Sequence, residues 1–367
     1  MSNKSPASLT NQSKITMKVD NEILSGWQGL TVALCIDACS NAFSFSLPWN
    51  PTPENRARFR PYCKRNKLGK SEGLQKIYIY LDDTKILTGY LEKPHFHTGA
   101  DGRTANLQGR SASGIMMEIS AGPPFQYSKV MFNTLSKKLY QALYSKATGG
   151  IAYASPDFGP IGEVSIAPGQ TMWDVFSKLA SAQGLWARPT AGGELEFTQF
   201  SSSQKSVAYL EEGKGPVRSV DTDHDVTKRF QRYMVVGTYE GDSSQTEIYD
   251  YETFGIAIRG RKIQQLDQQT TDIKTAAKFA RARALIDSYS VTAIVDGWHY
   301  NGQLWTPGEI VTIKAPGAFI DKDTRLIIRR ASLSIDESGG QTATLDLTLP
   351  QAFDNSDISS GDLPWVG

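Results

Sequence analysis

Four histidines, three cysteines and a few acidic clusters are the residues of this 367-residue chain whose types and spacing could do chemistry. His95-Phe96-His97 sets two imidazoles two apart. On a strand both would stand on one face, a spacing that some metal sites use. A third ligand is not evident beyond Asp101, so the pair reads as ordinary surface histidines. Cys35 and Cys39 lie four apart, with no Cys or His pair elsewhere at finger spacing. They read as buried structural thiols. Asp221-Thr222-Asp223-His224-Asp225 is the densest acidic cluster. A calcium loop needs more widely spaced oxygen ligands, a central glycine and a closing Glu. This run has none of them and reads as a solvated turn. Gly109-Arg110-Ser111-Ala112-Ser113-Gly114 lacks the lysine and spacing of a phosphate loop, so it reads as a loop leading out of a β unit. Arg259-Gly260-Arg261-Lys262 could meet phosphate or an acidic surface; the simpler reading is a solvated edge that discourages strand pairing. No nucleophile elbow, Walker-type loop or His-Glu-x-x-His helix occurs. No catalytic, cofactor-binding or metal-ligating residue is therefore assigned, no cofactor is expected, and the chain is read as a non-enzyme.

Composition narrows the class further. Lys and Arg number 39 against 38 Asp and Glu, a net charge of +1, whereas a protein built to grip nucleic-acid phosphates carries a clear cationic excess. Hydrophobic residues make up 40% and charged residues 21%, the balance of a folded globular protein. No run approaches the roughly 18 to 20 apolar residues of a membrane helix. Residues 1–13 are polar without the apolar core of a signal peptide, and the sparse, odd set Cys35, Cys39 and Cys63 is no disulfide framework. Both features lead to the expectation of a chain made and folded in a cytoplasm.

The elements that would position these residues follow from periodicity. Ile15, Met17 and Val19 alternate with polar residues, as do Val32, Leu34, Ile36 and Phe43, Phe45, Leu47, the period of half-buried strands. The proline- and arginine-rich stretch 48–73 interrupts them as a long excursion. Strands resume at Ile77 to Leu81 and Ile86 to Leu91, a hairpin turning at Asp82-Asp83, and end near Ala105 to Gly109. Residues 14–120 read as a first β-barrel domain after a disordered arm, 1–13. In 121–212, a small α+β domain, Met131, Leu135, Leu139 and Leu143 form one helical stripe. A second helix runs from Thr171 to about Gln183, with Thr171 and Asp174 placed as in a capping box and Gly184 as its stop. Residues 213–353 read as a second β-barrel domain. It holds one helix, Thr271 to Tyr289, and strands at Arg232 to Gly237, Val291 to Val295, Glu309 to Ile313, Arg325 to Ile328, Ser332 to Ile335 and Thr342 to Leu349. Trp305, before a Pro-Gly turn, is expected to be buried. Residues 354–367 read as a flexible tail. The fold class is thus α+β, mostly β.

Several strings in this order resemble the baseplate hub proteins of Mu-like contractile-tailed phages, a family that takes in late control protein D and the hub half of VgrG proteins. Leu24-Ser25-Gly26-Trp27, the Phe43 and Phe45 pair and Thr88-Gly89-Tyr90-Leu91 resemble the first barrel. Ala167-Pro168-Gly169-Gln170-Thr171-Met172-Trp173-Asp174-Val175, with Leu179-Ala180 and Gly184-Leu185, is similar to the small helical domain. Ala282-Arg283-Ala284, Gly302-Gln303-Leu304-Trp305-Thr306-Pro307-Gly308, and Leu349-Pro350 with Phe353 resemble the final domain. The likeness spans roughly residues 14 to 353; the 48–73 insertion and the acidic tail depart from it.

That resemblance implies a structural, non-catalytic role: a homotrimer whose two barrels per chain form a pseudo-sixfold ring around a channel. The ring would join a sixfold tail tube to a threefold central spike. Implied partners are further copies of itself, the spike protein, the tube or its initiator, other baseplate proteins, and DNA only in transit, with no membrane insertion. The implied place is the virion baseplate, after assembly in the host cytoplasm. The alternative is a peptidoglycan-binding or peptidoglycan-degrading tail protein, because residues 164–197 also resemble a LysM module. A nucleic-acid-binding role is the third reading, disfavoured by the charge balance.

Overall fold

The computed structural model describes residues 13–19, 22–58, 74–120, 164–239, 242–249, 261–265, 273–335, 340–354 and 356–357, together with the short pieces 126–127, 130–131, 151–153, 160–161, 362 and 364. Alternation of apolar and polar residues sets the first strands. In β1 (Ile15–Val19) the residues Ile15, Met17 and Val19 face the core; β2 (Glu22–Leu24) folds back on it. β3 (Gly29–Cys35) and β4 (Ala42–Pro48) form a hairpin with Val32 opposite Phe43. After the short helix α1 (Pro53–Arg58) come β5 (Gln75–Leu81), β6 (Thr84–Gly99) and β7 (Gly102–Ser111). The β5–β6 turn carries Asp82 at φ 51°, the left-handed conformation that Asp tolerates better than most residues.

Between the two large β regions lie β8 (Gln126–Tyr127), β9 (Val130–Met131), β10 (Ile151–Tyr153), β11 (Pro160–Ile161) and β12 (Val164–Ser165). Helix α2 (Met172–Ala182) and strands β13 (Trp186–Pro189) and β14 (Leu195–Thr198) follow. The α2 sequence dictates its ends. Thr171 accepts from the Asp174 N–H, Asp174 accepts from the Thr171 N–H, and Gly184 takes the left-handed stop at φ 66°. Its stripe of Met172, Val175, Phe176, Leu179 and Ala180 is buried against Leu195 and Phe197 and reaches Cys39 and Met116. The helical stripe expected from Leu135 to Leu143 lies outside the described residues, while Met131 stands in β9.

The remainder holds β15 (Ser206–Glu211), β16 (Val217–His224), β17 (Arg232–Tyr239), β18 (Asp242–Tyr249), β19 (Arg261–Gln265), helix α3 (Ile273–Ser288) and β20 (Tyr289–Asp296). Then come β21 (His299–Tyr300), β22 (Gln303–Leu304), β23 (Ile310–Ala315), β24 (Ile320–Ile335), β25 (Gln341–Thr348) and the final turn α4 (Gln351–Asp354). The alanines of α3 let it lie close on the β17–β18 hairpin: Ala280 and Ala284 meet Tyr233, and Ala276 and Ala277 meet Val235. Arg325 to Ile328 and Ser332 to Ile335, expected as two strands, are one. Arg329 is a bulge in the ladder with β25, not a turn.

The same five-stranded path occurs twice. The order β3-β4-β7-β6-β5 is matched strand for strand by β16-β20-β25-β24-β23, in the same chain order. Registers match too. Phe43 lies between Val32 and Gly109 in the first copy, and Val291 lies between Thr222 and Leu347 in the second. Both contain a sixteen-residue strand, β6 and β24, that pairs one neighbour with its first half and another with its second. Each bulges at the same point, between Leu91 and Lys93 or between Ile328 and Arg330. The copies are joined by hydrogen bonds: the distal half of β24, Arg330 to Ile335, pairs antiparallel with Cys35 to Leu30 of β3. The result is one large, mainly antiparallel sheet. Among the described strands no ladder closes on itself, and the two β units share one continuous sheet.

Candidate functional site: the polar face and ends of the shared sheet

One face of the sheet carries the core, with Leu30, Val32, Phe43, Phe45, Ala331, Leu333, Ala343 and Leu345 all buried. Period-two alternation sends their neighbours to the opposite face. Across the joint these are Thr31, Ser44, Ser46, Ser332, Ser334, Thr342 and Thr344, continued outward by Asn106 and Gln108 on β7 and by Thr292 on β20. Small hydroxyls and amides bond among themselves here: Ser44 to Asn106 at 3.1 Å, and Ser334 to Thr342 at 2.9 Å. The arginines that reach this face are matched by carboxylates. Arg110 donates to Glu92 at 2.8 Å and also meets Glu118; Arg330 lies 3.8 Å from Asp346. The face is thus polar, and each of these arginines stands beside a carboxylate.

Beneath it the units are locked by a buried ion cluster. Asp37, in the β3–β4 turn, has a side chain only 4% exposed. It accepts from Arg329 Nε at 2.6 Å, and Arg283 of α3 lies 3.7 Å away. The Arg283 guanidinium sits over the Trp186 ring at 5.6 Å. Trp186 packs on Phe279 and Phe353 and donates its indole N–H to the Phe353 carbonyl at 2.9 Å. The β3–β4 turn, the bulge of β24, α3, β13 and α4 thus meet at one point. Trp305 is buried at 1% exposure, as expected.

The residues singled out by chemistry fall mostly on the ends of this sheet. His95 and His97 are exposed on distal β6, and His97 Nε2 lies 3.0 Å from Asp101, which lowers the carboxyl pKa through that bond. No group of three or more His, Cys, Asp or Glu that could hold a metal exists among the described residues. Asp221 to His224 form the second half of β16, a strand and not a turn, and Asp225 caps its end by accepting from the Thr227 N–H at 2.9 Å. The thiols of Cys35 and Cys39 are buried and pushed up to about 12, mainly by loss of water; Cys39 lies 3.2 Å from the Ser113 carbonyl. Ser111 and Ser113 belong to the same inward network: Ser111 accepts from the Asn41 N–H, and Ser113 donates to the Cys39 carbonyl. Both tie the end of β7 and the turn after it to the β3–β4 turn. Of the basic run, Arg259 and Gly260 lie outside the described residues, and Arg261 and Lys262 open β19. Sequence reasoning missed the polar face and Asp37. Only the pairing register reveals which alternating Ser and Thr share a surface.

With this geometry in view, residues 269–356 match the family model described as the fourth domain of Mu phage baseplate assembly protein GpP. The match places the chain beside structural proteins of the bacteriophage tail, of the baseplate-hub kind, as what it is similar to. In sequence the chain is 22% identical over 362 residues to baseplate hub protein gp44 of Escherichia phage Mu, covering 92% of this chain and 88% of that one. In fold it is similar to a tail protein from Neisseria meningitidis MC58 (TM-score 0.77, 16% identity, 94% of this chain and 99% of that). It is also similar to the 43 kDa tail protein of prophage MuSo2 from Shewanella oneidensis (TM-score 0.74, 16% identity, 94% and 100%). The resemblance read from the sequence therefore stands. No helix among the described residues is long and apolar enough to cross a membrane.

Proposed function

We propose that three copies of this chain close into a ring with a central channel, joining a sixfold tail tube to a threefold spike in a phage or phage-derived baseplate. The observation that carries the reading is the internal duplication. Two five-stranded units of one topology, bonded side by side through β24 and β3, give three chains six equivalent units, which a sixfold partner can match. A closed ring also needs heterologous contacts whose rotation closes, and the β24–β3 joint is one such contact already made within the chain. The polar face would line the channel, where paired arginines leave DNA free to slide. The chain acts without catalysis, assembles in the host cytoplasm and ends in the virion. Its partners are its own copies, the spike, the tube or its initiator, and neighbouring baseplate proteins. The apolar face of α2 is packed into the molecule, which supports a connecting role for residues 164–197 over a free glycan-binding module.

Light scattering across concentration and salt tests this reading. A mass of three chains, with six-lobed rings in electron micrographs, is expected. A mass that stays at one chain at every concentration, with no rings, overturns it.

A further inference from the structure

We infer that copies of this chain join edge to edge by one specific strand pairing, the distal half of β6 in one copy against β16 of the next. The number of copies rests on the ring reading above; the contact itself is read from the chain's own β24–β3 joint.

On β24, strand β23 occupies one edge as far as Ile327, and β3 takes over that edge from Arg330 to Ile335. On β6, strand β5 occupies the equivalent edge as far as Leu91. From Lys93 to Thr98 no strand among the described residues takes over. The counterpart of β3 in the second unit is β16, which pairs β20 on one side and no described strand on the other. Each copy thus carries the two halves of the internal joint, on two different strands of its sheet, with no described strand along the outer edge of either.

Carrying the internal register across fixes every residue. Arg330–Cys35, Ser332–Ala33 and Ser334–Thr31 become Lys93–Asp225, His95–Asp223 and His97–Asp221. Neither cluster forms a metal site among the described residues, and the register lays donors against carboxylates at each place, although His97 also has Asp101 of its own chain 3.0 Å away. Lys93, His95, His97, Asp221 and Asp223 are exposed. Residues directly opposite in such a ladder have Cβ atoms about 5 Å apart, where opposite charges attract. Asp225 keeps its bond to Thr227 and lies beside Lys93. In the internal joint the Ile36 N–H donates to Arg329 O at 3.1 Å, so Arg330–Cys35 is a non-hydrogen-bonded pair and Ala331–Leu34 a bonded one. Pro94, in the place of Ala331, gives up one donor, while its carbonyl still accepts from His224. The joint forms around it with one ladder bond fewer than the internal one, and within one copy the proline is tolerated because its nitrogen faces the outer edge and not β7. Together with the charges, it also discourages random edge pairing by other strands.

The test uses the full chain with Cys63→Ser as background and His95→Cys with Asp223→Cys added. A non-hydrogen-bonded pair brings Cα atoms to about 4.5 Å, within disulfide range. Mild oxidation is expected to give two- and three-chain covalent species that neither single variant gives. The off-register pair His95→Cys with Asp221→Cys is expected to cross-link at least about tenfold less. In the unmodified chain, Asp223→Lys is expected to raise the concentration for half-assembly about tenfold, and adding His95→Glu to restore it. A chain that is trimeric by light scattering yet shows no His95–Asp223 cross-link overturns the strand joint and leaves the ring reading standing. A chain that stays monomeric and uncross-linked overturns both. Equal cross-linking of the two pairs, or assembly indifferent to Asp223→Lys, overturns the register.

Discussion

Asp37 is the residue on which the joint between the two β units is expected to depend. Its carboxylate is 4% exposed and bonds Arg329 Nε at 2.6 Å, so it is held dry by a single charge-assisted contact with a second guanidinium nearby. Such a bond contributes about 1.5–3 kcal/mol. Asp37→Ala removes the buried carboxylate of this cluster, and the two arginines it leaves, 29% and 43% exposed, can turn to water, which keeps the penalty below that of a stranded ion. The expected loss is about 2 kcal/mol, and about 1 kcal/mol for Asp37→Asn, which keeps a neutral acceptor. Read by urea unfolding with a slope of about 3 kcal/mol/M, Asp37→Ala lowers the midpoint by about 0.7 M. Because the carboxylate is buried, the shift persists at high salt, where a surface pair would fade. A midpoint change under about 0.2 M, or one that vanishes in salt, would refute the claim that this cluster locks the units.

Three further outcomes are expected. Gly89→Ala abolishes soluble, cooperatively unfolding protein, because an added Cβ would lie 2.0 Å from Arg110 O across the β6–β7 ladder; a variant purified with unchanged stability sinks that account. Native Cys35 and Cys39, pushed up to about 12 by burial, resist a thiol reagent at pH 8 until the chain unfolds. Unfolded thiols lose protons above about pH 8.5 while the folded ones keep theirs, so stability is full below that pH and falls as pH rises toward 12; a urea midpoint flat from about pH 8 to 10.5 contradicts this. Thr171→Ala removes half of the capping box of α2 and costs about 1 kcal/mol, checked by thermal unfolding, with no change in assembly mass.

The sequence showed what periodicity can show. Strict alternation located β1, β3, β4, β20 and β25, and the stripe from Met172 to Ala180 with its capping box located α2 to within a residue. Thr88-Gly89, noticed as part of a resemblance, has a physical reason only in the structure: β6 passes so close to β7 that no side chain fits at Gly89. The error over β24 is equally instructive. Arg329-Arg330 reads as a polar break, but Ile328 and Ala331 are both buried, and a bulge resets the alternation without ending the strand. Pairing partners, and with them the duplication, are long-range facts. No spacing in the sequence announces that Leu333 will lie beside Val32 some three hundred residues earlier.

The two versions of the joint differ in a way that physical chemistry requires. Inside the chain, Ser332 faces Ala33 and Ser334 faces Thr31, small neutral pairs with little power to choose a partner. They need none, because the linking chain holds β3 near β24 at high effective concentration. A joint between separate copies has no tether and must select its own register against every other exposed edge. Electrostatic complementarity does that work better than it adds affinity. An imidazole-and-lysine row opposite an aspartate row rejects itself, since two β16 edges would set carboxylates face to face and two β6 edges would leave the lysine and imidazole donors without carboxylate acceptors. The neutral joint is therefore expected where the backbone is continuous and the charged joint where it is not. The duplicated sheet places Lys93, His95 and His97 along one outer edge and Asp221, Asp223 and Asp225 along another, which is the distribution a ring of identical copies needs in order to close head to tail.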